Sequence, residues 1–131
     1  MSRKSFELVV GNASDSSVSS RGWFVGHFMP EASPLYSREL EVKWTTHAKG
    51  ETRPEWAPSI PSRTLNILVR GKFALLFPDR EIVLEKEGDF ALFGPGIPHS
   101  FRALEESLVA TVRWPSLSPA PAGRDPTPAG S

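Results

Sequence analysis

From Leu40 to Trp114 apolar residues recur at every second position in short runs, and glycine or proline separates the runs. Leu40, Val42 and Trp44 alternate with Glu41, Lys43 and Thr45, which predicts a strand with Leu40, Val42 and Trp44 buried. Further strands are expected over residues 65–71, 73–77, 81–84, 90–93, 99–103 and 107–114. In the last of these Leu108, Ala110, Val112 and Trp114 share one face. Pro78-Asp79-Arg80 reads as a turn, because proline presets the backbone and aspartate can bond its own main chain. Gly88-Asp89 reads as another. No stretch keeps a helical period beyond one or two turns. The expected class is all-β, an antiparallel double-sheet barrel or sandwich.

A chain of 131 residues can bury one sizeable core, so one domain is expected, over residues 22–114. Residues 1–21 end in a serine-rich run and read as a flexible arm, in which Phe6, Leu8 and Val10 offer at most one edge strand. Residues 115–131 carry five of the 13 prolines and read as a disordered tail. Fifteen basic residues balance 15 acidic ones without a basic block, which argues against nucleic acid as a partner. The absence of cysteine excludes disulfides, a thiolate nucleophile and cysteine-ligated zinc or iron–sulfur sites. No apolar run approaches the roughly 20 residues that span a bilayer. Met1 to Val10 lacks the apolar core of a signal peptide, so a cytoplasmic location is expected.

The most specific stretch is Gly88-Asp89-Phe90-Ala91-Leu92-Phe93-Gly94-Pro95-Gly96-Ile97-Pro98-His99-Ser100-Phe101. A glycine turn opens a short strand, a proline–glycine turn closes it, and a histidine starts the next strand. This resembles the second conserved motif of the cupins. Arg70-Gly71-Lys72-Phe73 resembles the end of the first motif, and Lys49-Gly50-Glu51 the turn before it. More narrowly, Val42-Lys43-Trp44, His47, Arg53-Pro54-Glu55-Trp56 and Thr111-Val112-Arg113-Trp114-Pro115 resemble a small bacterial cupin group often labelled signal peptidase. No Ser–Lys dyad in a membrane-anchored setting supports that label. The resemblance implies a jelly-roll barrel with a binding cavity at its mouth. It also implies a metal site, and here the pattern departs from the family. The family's glutamate position falls on Thr64, and its paired histidines fall within residues 53–58, which hold no histidine. Of the family's ligands only His99 is in place.

His99 is therefore the first candidate, as acid/base, metal ligand or substrate partner. Glu55 is its expected carboxylate partner, with Arg53 or Arg113 gripping an anion. His99, His47 and Glu55 form an alternative metal triad suited to iron, manganese, nickel or zinc. Trp56 and Phe101 are expected in the cavity wall. Thr64 is expected to face the cavity, with Asn66 one step deeper. His27, in an aromatic run between two glycines, reads as a core or interface residue.

Two functions fit. One is a small-molecule enzyme of isomerase, lyase, cyclase or oxygenase type. The other is a non-catalytic module that binds a metabolite in the same pocket. The apolar segment Gly22 to Met29 and an open sheet edge lead to the expectation of a homodimer.

Overall fold

The computed structural model of the chain describes residues 8–16, 21–53, 55–56 and 61–117. Phe6 and residues 118–131 of the expected tail lie outside the described residues. Among the described residues one helical turn, α1 (Ala13–Ser16), precedes eight strands. The strands are β1 (Trp23–Val25), β2 (Glu41–His47), β3 (Arg63–Arg70), β4 (Phe73–Phe77), β5 (Arg80–Leu84), β6 (Phe90–Phe93), β7 (Ser100–Ala103) and β8 (Ser107–Trp114). They form a five-stranded sheet in the order β1-β2-β8-β3-β6 and a three-stranded sheet in the order β5-β4-β7. Every pairing is antiparallel. The expected all-β double-sheet architecture is the one observed.

The sheets join where the chain leaves β2. Gly50 N–H donates to Ala103 O and Ala103 N–H to Glu51 O, so residues 50–53 run beside β7. That crossover carries Glu51 and Arg53 to one end of the barrel. Gly71 turns β3 into β4 with φ at +106°, and a side chain there would collide with Ser107. Between the sheets Leu68, Phe73, Leu75, Leu84, Phe93, Ala103 and Val109 form the buried apolar cluster.

Toward the open end the interior turns polar, and the expected faces are reversed. On β2 the inward residues are Glu41, Lys43 and His47, whereas Leu40 is exposed and Val42 and Trp44 are half-buried. On β8 Ser107, Val109 and Thr111 are buried, whereas Ala110, Val112 and Trp114 are only half-buried; Leu108 alone of its expected face is buried. A one-residue change of face moves every side chain to the other side of a sheet. The reversal is tolerated because the inward polar groups are paired. Arg113 donates to Glu41 at 3.0 Å, Ser116 Oγ donates to Glu41 at 2.7 Å, and Thr111 Oγ1 donates to Asn66 Oδ1 at 3.0 Å.

The domain edges also differ from expectation. Leu8 and Val10 are exposed and form no strand. The run expected as a flexible arm holds a turn whose first N–H groups are capped by Asn12 Oδ1, and Trp44 Nε1 donates to Ser14 Oγ at 3.0 Å. At the other end Ser116 is fully buried between Glu41 and His27, and Pro115 O accepts from Ser62. The barrel thus extends to Ser116, past the expected limit at Trp114. The segment Gly22 to Met29, which the sequence reads either as a strand closing the barrel or as a surface for a second copy, supplies β1 and puts Trp23 inside.

Candidate functional site

A cavity opens between the sheets at the polar end. It is lined by Lys43 and His47 of β2, Asn66 of β3, Phe73 and Leu75 of β4, His99, Phe101 of β7, and Val109 and Thr111 of β8. Its volume is about 290 Å³ with the open mouth included. Most of that is open solvent: the enclosed part gives the centre of a water-sized sphere about 10 Å³ of room, about one water, so a larger ligand would lie across the mouth. Apolar walls with a few convergent polar groups are the usual composition of such a site.

His99 is 5% exposed and packs on Phe93 with ring centroids 4.7 Å apart. Its Nδ1 lies 3.3 Å from Ile97 O, which can only accept, so Nδ1 carries the proton. Nε2 is then a bare lone pair, buried and without a partner among the described residues. Burial pushes the imidazole down to about 4, with Arg113, Arg53 and Lys43 adding to the effect against the Ile97 bond. His99 is a neutral base at physiological pH.

Lys43 is 7% exposed and has its ammonium 5.3 Å from the Trp23 ring centroid. Burial, then the charges of Arg113 and Arg53, lower its pKa to about 7; Glu51 opposes them. His47 stands on Phe73 and Phe101 at 5.0 and 4.8 Å, and Phe101 stacks on Phe73 at 5.2 Å. Its Nδ1 lies 3.0 Å from Glu51 Oε2. Burial lowers the His47 pKa, and the Glu51 bond works against that shift.

The structure thus brings together His99, His47, Asn66 and Phe101 of the residues singled out from the sequence. The others lie elsewhere. Glu55 and Trp56 are exposed and outside the lining. Thr64 is buried between the neighbouring strands and does not reach the cavity, because β3 presents its next inward residue, Asn66, there. Arg113 is engaged by Glu41 and lies over Trp23 at 4.7 Å, away from the lining. Arg53 is half-buried at the rim, its N–H on Phe101 O and its carbonyl accepting from Ser100 Oγ. Its charge still acts on both Lys43 and His99. Lys43 and Thr111 were missed. The signal for both was the strand alternation, read with the wrong face inward.

Solved structures share this fold. KdgF from a Halomonas species superposes with a TM-score of 0.56 at 20% identity, over 62% of this chain and 74% of that one. A cupin superfamily protein from Desulfitobacterium hafniense gives 0.54 at 17% identity, over 60% and 69%. An RmlC-like cupin from Desulfovibrio desulfuricans gives 0.54 at 18% identity, over 62% and 76%. The chain has the cupin fold. No family model and no curated protein matches the sequence.

The metal implied by the cupin resemblance can be tested against the donors present. A tight divalent site takes at least three protein ligands of suitable type. The cavity offers the imidazoles of His47 and His99, and His47 is already bonded to Glu51. Glu55, the third member of the alternative triad, is outside it. Among the described residues no group of three or more His, Asp or Glu could hold a metal ion. The donor set of the described residues does not fit a metal.

Proposed function

We propose that the barrel cavity binds a small anionic metabolite and that His99 moves a proton on it. The observation that carries this reading is the buried, unpartnered Nε2 of a neutral His99 in a cavity shared with Lys43. No carboxylate is among the lining residues, whereas Lys43, Arg53 and Arg113 put positive charge around it. An anion entering this low-dielectric space meets charge that water screens little. The neutral imidazole would then take a proton from carbon or oxygen next to the anionic group. This favours the isomerase or lyase type over a metal-dependent oxygenase, because the donor set of the described residues does not fit a metal.

The test is a panel of small carboxylates in heavy water, followed by NMR. Exchange of a substrate C–H that disappears in His99→Gln supports the reading. Equal exchange by both proteins would overturn the catalytic role and leave the non-catalytic binding module.

We infer a homodimer through the open sheet edge that the sequence also suggested, together with the outer face beside it rather than Gly22 to Met29. The outer face of the five-stranded sheet carries two apolar rows, Val42-Val112-Leu65-Leu92 and Trp44-Ala110-Ile67-Phe90, set in register by the strand pairing. Phe90 and Leu92 are 65% and 52% exposed at the open edge, β6. A second copy of the same face would cover both the apolar rows and that edge.

A further inference from the structure

The enclosed part of the cavity has the room of about one water, and its polar lining selects what can occupy it. Asn66, Thr111 and His99 are 4%, 3% and 5% exposed and all line it. Asn66 and Thr111 are paired in register between β3 and β8, and the Thr111 hydroxyl donates to Asn66 Oδ1 at 3.0 Å. That bond uses the one hydroxyl proton, so Thr111 Oγ1 has only lone pairs to offer beyond it, whereas Asn66 keeps its amide N–H donors. His99 adds the bare lone pair of Nε2, which has no partner among the described residues. A buried acceptor of this kind is ordinarily bonded, to protein or to ordered water. A cation here would meet the charges of Arg113, Arg53 and Lys43, which already act on His99. An anion has no proton for the Nε2 lone pair, and an apolar atom would leave the polar groups unbonded. Water both donates and accepts.

We propose that one water is seated in the enclosed part of the cavity by His99, Asn66 and Thr111, and that it carries the proton between His99 and a ligand at the mouth. The water donates one proton to His99 Nε2 and the other to Thr111 Oγ1, and accepts from the Asn66 amide. About three hydrogen bonds is the usual number for a buried water. The carrying role rests on the anion-binding reading above. A ligand too large for the enclosed part lies across the mouth, which leaves this water between it and His99. A general base can act through one water as well as by direct contact. In that step Nε2 takes a proton from the water while the water takes one from the ligand. The water is unchanged, His99 becomes the imidazolium, and the ligand has lost one proton. Asn66 and Thr111 are positioning residues, because they hold the water and not the ligand.

The seat is tested on the full chain without ligand, by a crystal structure that resolves ordered water and by a second one under xenon pressure. The expected result is a water within hydrogen-bond distance of His99 Nε2 and Asn66, with no xenon in its place. Xenon there, or a dry cavity, would overturn the inference. Oxygen-17 relaxation dispersion, which counts long-lived waters in solution, should find one fewer in Asn66→Leu; the crystal reading does not depend on that variant folding. The carrying role is tested with whichever small carboxylate, glyoxylate and pyruvate among them, shows exchange in heavy water. Asn66→Leu should slow that exchange at least tenfold and leave the affinity from titration calorimetry within twofold. Equal exchange in the variant would overturn the carrying role and leave the anion site standing. If no carboxylate binds or exchanges, the anion-binding reading falls and the carrying role with it, while the crystal still decides the seat.

Discussion

Replacing Glu41 with glutamine tests how the polar end of the barrel is held. Glu41 and Arg113 have side chains 6% and 13% exposed and meet at 3.0 Å. Glu41 also accepts from Ser116 Oγ at 2.7 Å, and Ser116 lies 2.7 Å from His27 Nδ1. Three segments, residues 27, 41 and 113–116, therefore meet at one carboxylate. Glu41→Gln keeps the shape and an acceptor for Ser116 but leaves the Arg113 charge buried without its counter-charge. Breaking a buried pair in this way costs about 3–5 kcal/mol, whereas an exposed pair contributes about 0–1. Because the acceptor survives, the lower figure applies, and about 3 kcal/mol is expected. For a domain of this size that corresponds to a fall in the thermal midpoint of more than ~10 °C. In urea, with a slope of roughly 1.5 kcal/mol/M, the midpoint should fall by about 2 M. Adding Arg113→Met removes the stranded charge, and the double variant should recover to within about 1 kcal/mol of the original. A Glu41→Gln loss below about 1 kcal/mol, or additive losses in the double variant, would refute a desolvated pair.

Acidification should destabilise the fold through His99. Its folded pKa of about 4 lies below the ordinary 6.5, so the unfolded chain takes the proton first. The contribution, roughly 3 kcal/mol, should be complete above pH 6.5 and lost as pH falls toward 4, a slope that His99→Gln removes in urea titrations across that window. Lys43 has the same sign of linkage at higher pH. Its penalty is fully present below pH 7 and relieved toward 10.5, so Lys43→Met should raise the thermal midpoint at pH 7 and lose that advantage near pH 10.5. A Lys43→Met protein less stable than the original at pH 7 would contradict it. Gly71→Ala should cost more than about 2 kcal/mol, since a Cβ would approach Ser107 Cα at 2.6 Å, whereas Gly88→Ala, with open space around it, should cost about 1–2 from its positive φ alone. Phe90→Glu should convert a dimer to a monomer in light scattering, and an original protein that is already monomeric would remove that reading.

The strand positions were legible because each run is bounded by a residue with a backbone reason to turn: Gly71 at positive φ, Pro78-Asp79, and Gly88-Asp89. The period of two was legible as well, but not which side of it faces inward. Val42 and Trp44 look like core residues in a sequence, yet they form an outer surface, while Glu41, Lys43 and His47 fill the interior. Burial of Glu41 depends on Arg113 and Ser116, 72 and 75 positions away. No local pattern contains that pairing. His99 was readable from its motif, and Asn66 from its strand parity. Glu55 and Trp56 were not excluded by any local rule; the crossover at residues 50–53 places Glu51, not Glu55, beside His47.

The most direct test of the account is a chemical-shift titration of the chelator-treated protein with glyoxylate. The account predicts saturable shifts centred on Lys43, His47, Asn66, His99 and Thr111, unchanged by added zinc, iron, manganese or nickel. Shifts scattered over the outer sheet, or binding that appears only when a divalent metal is restored, would contradict it.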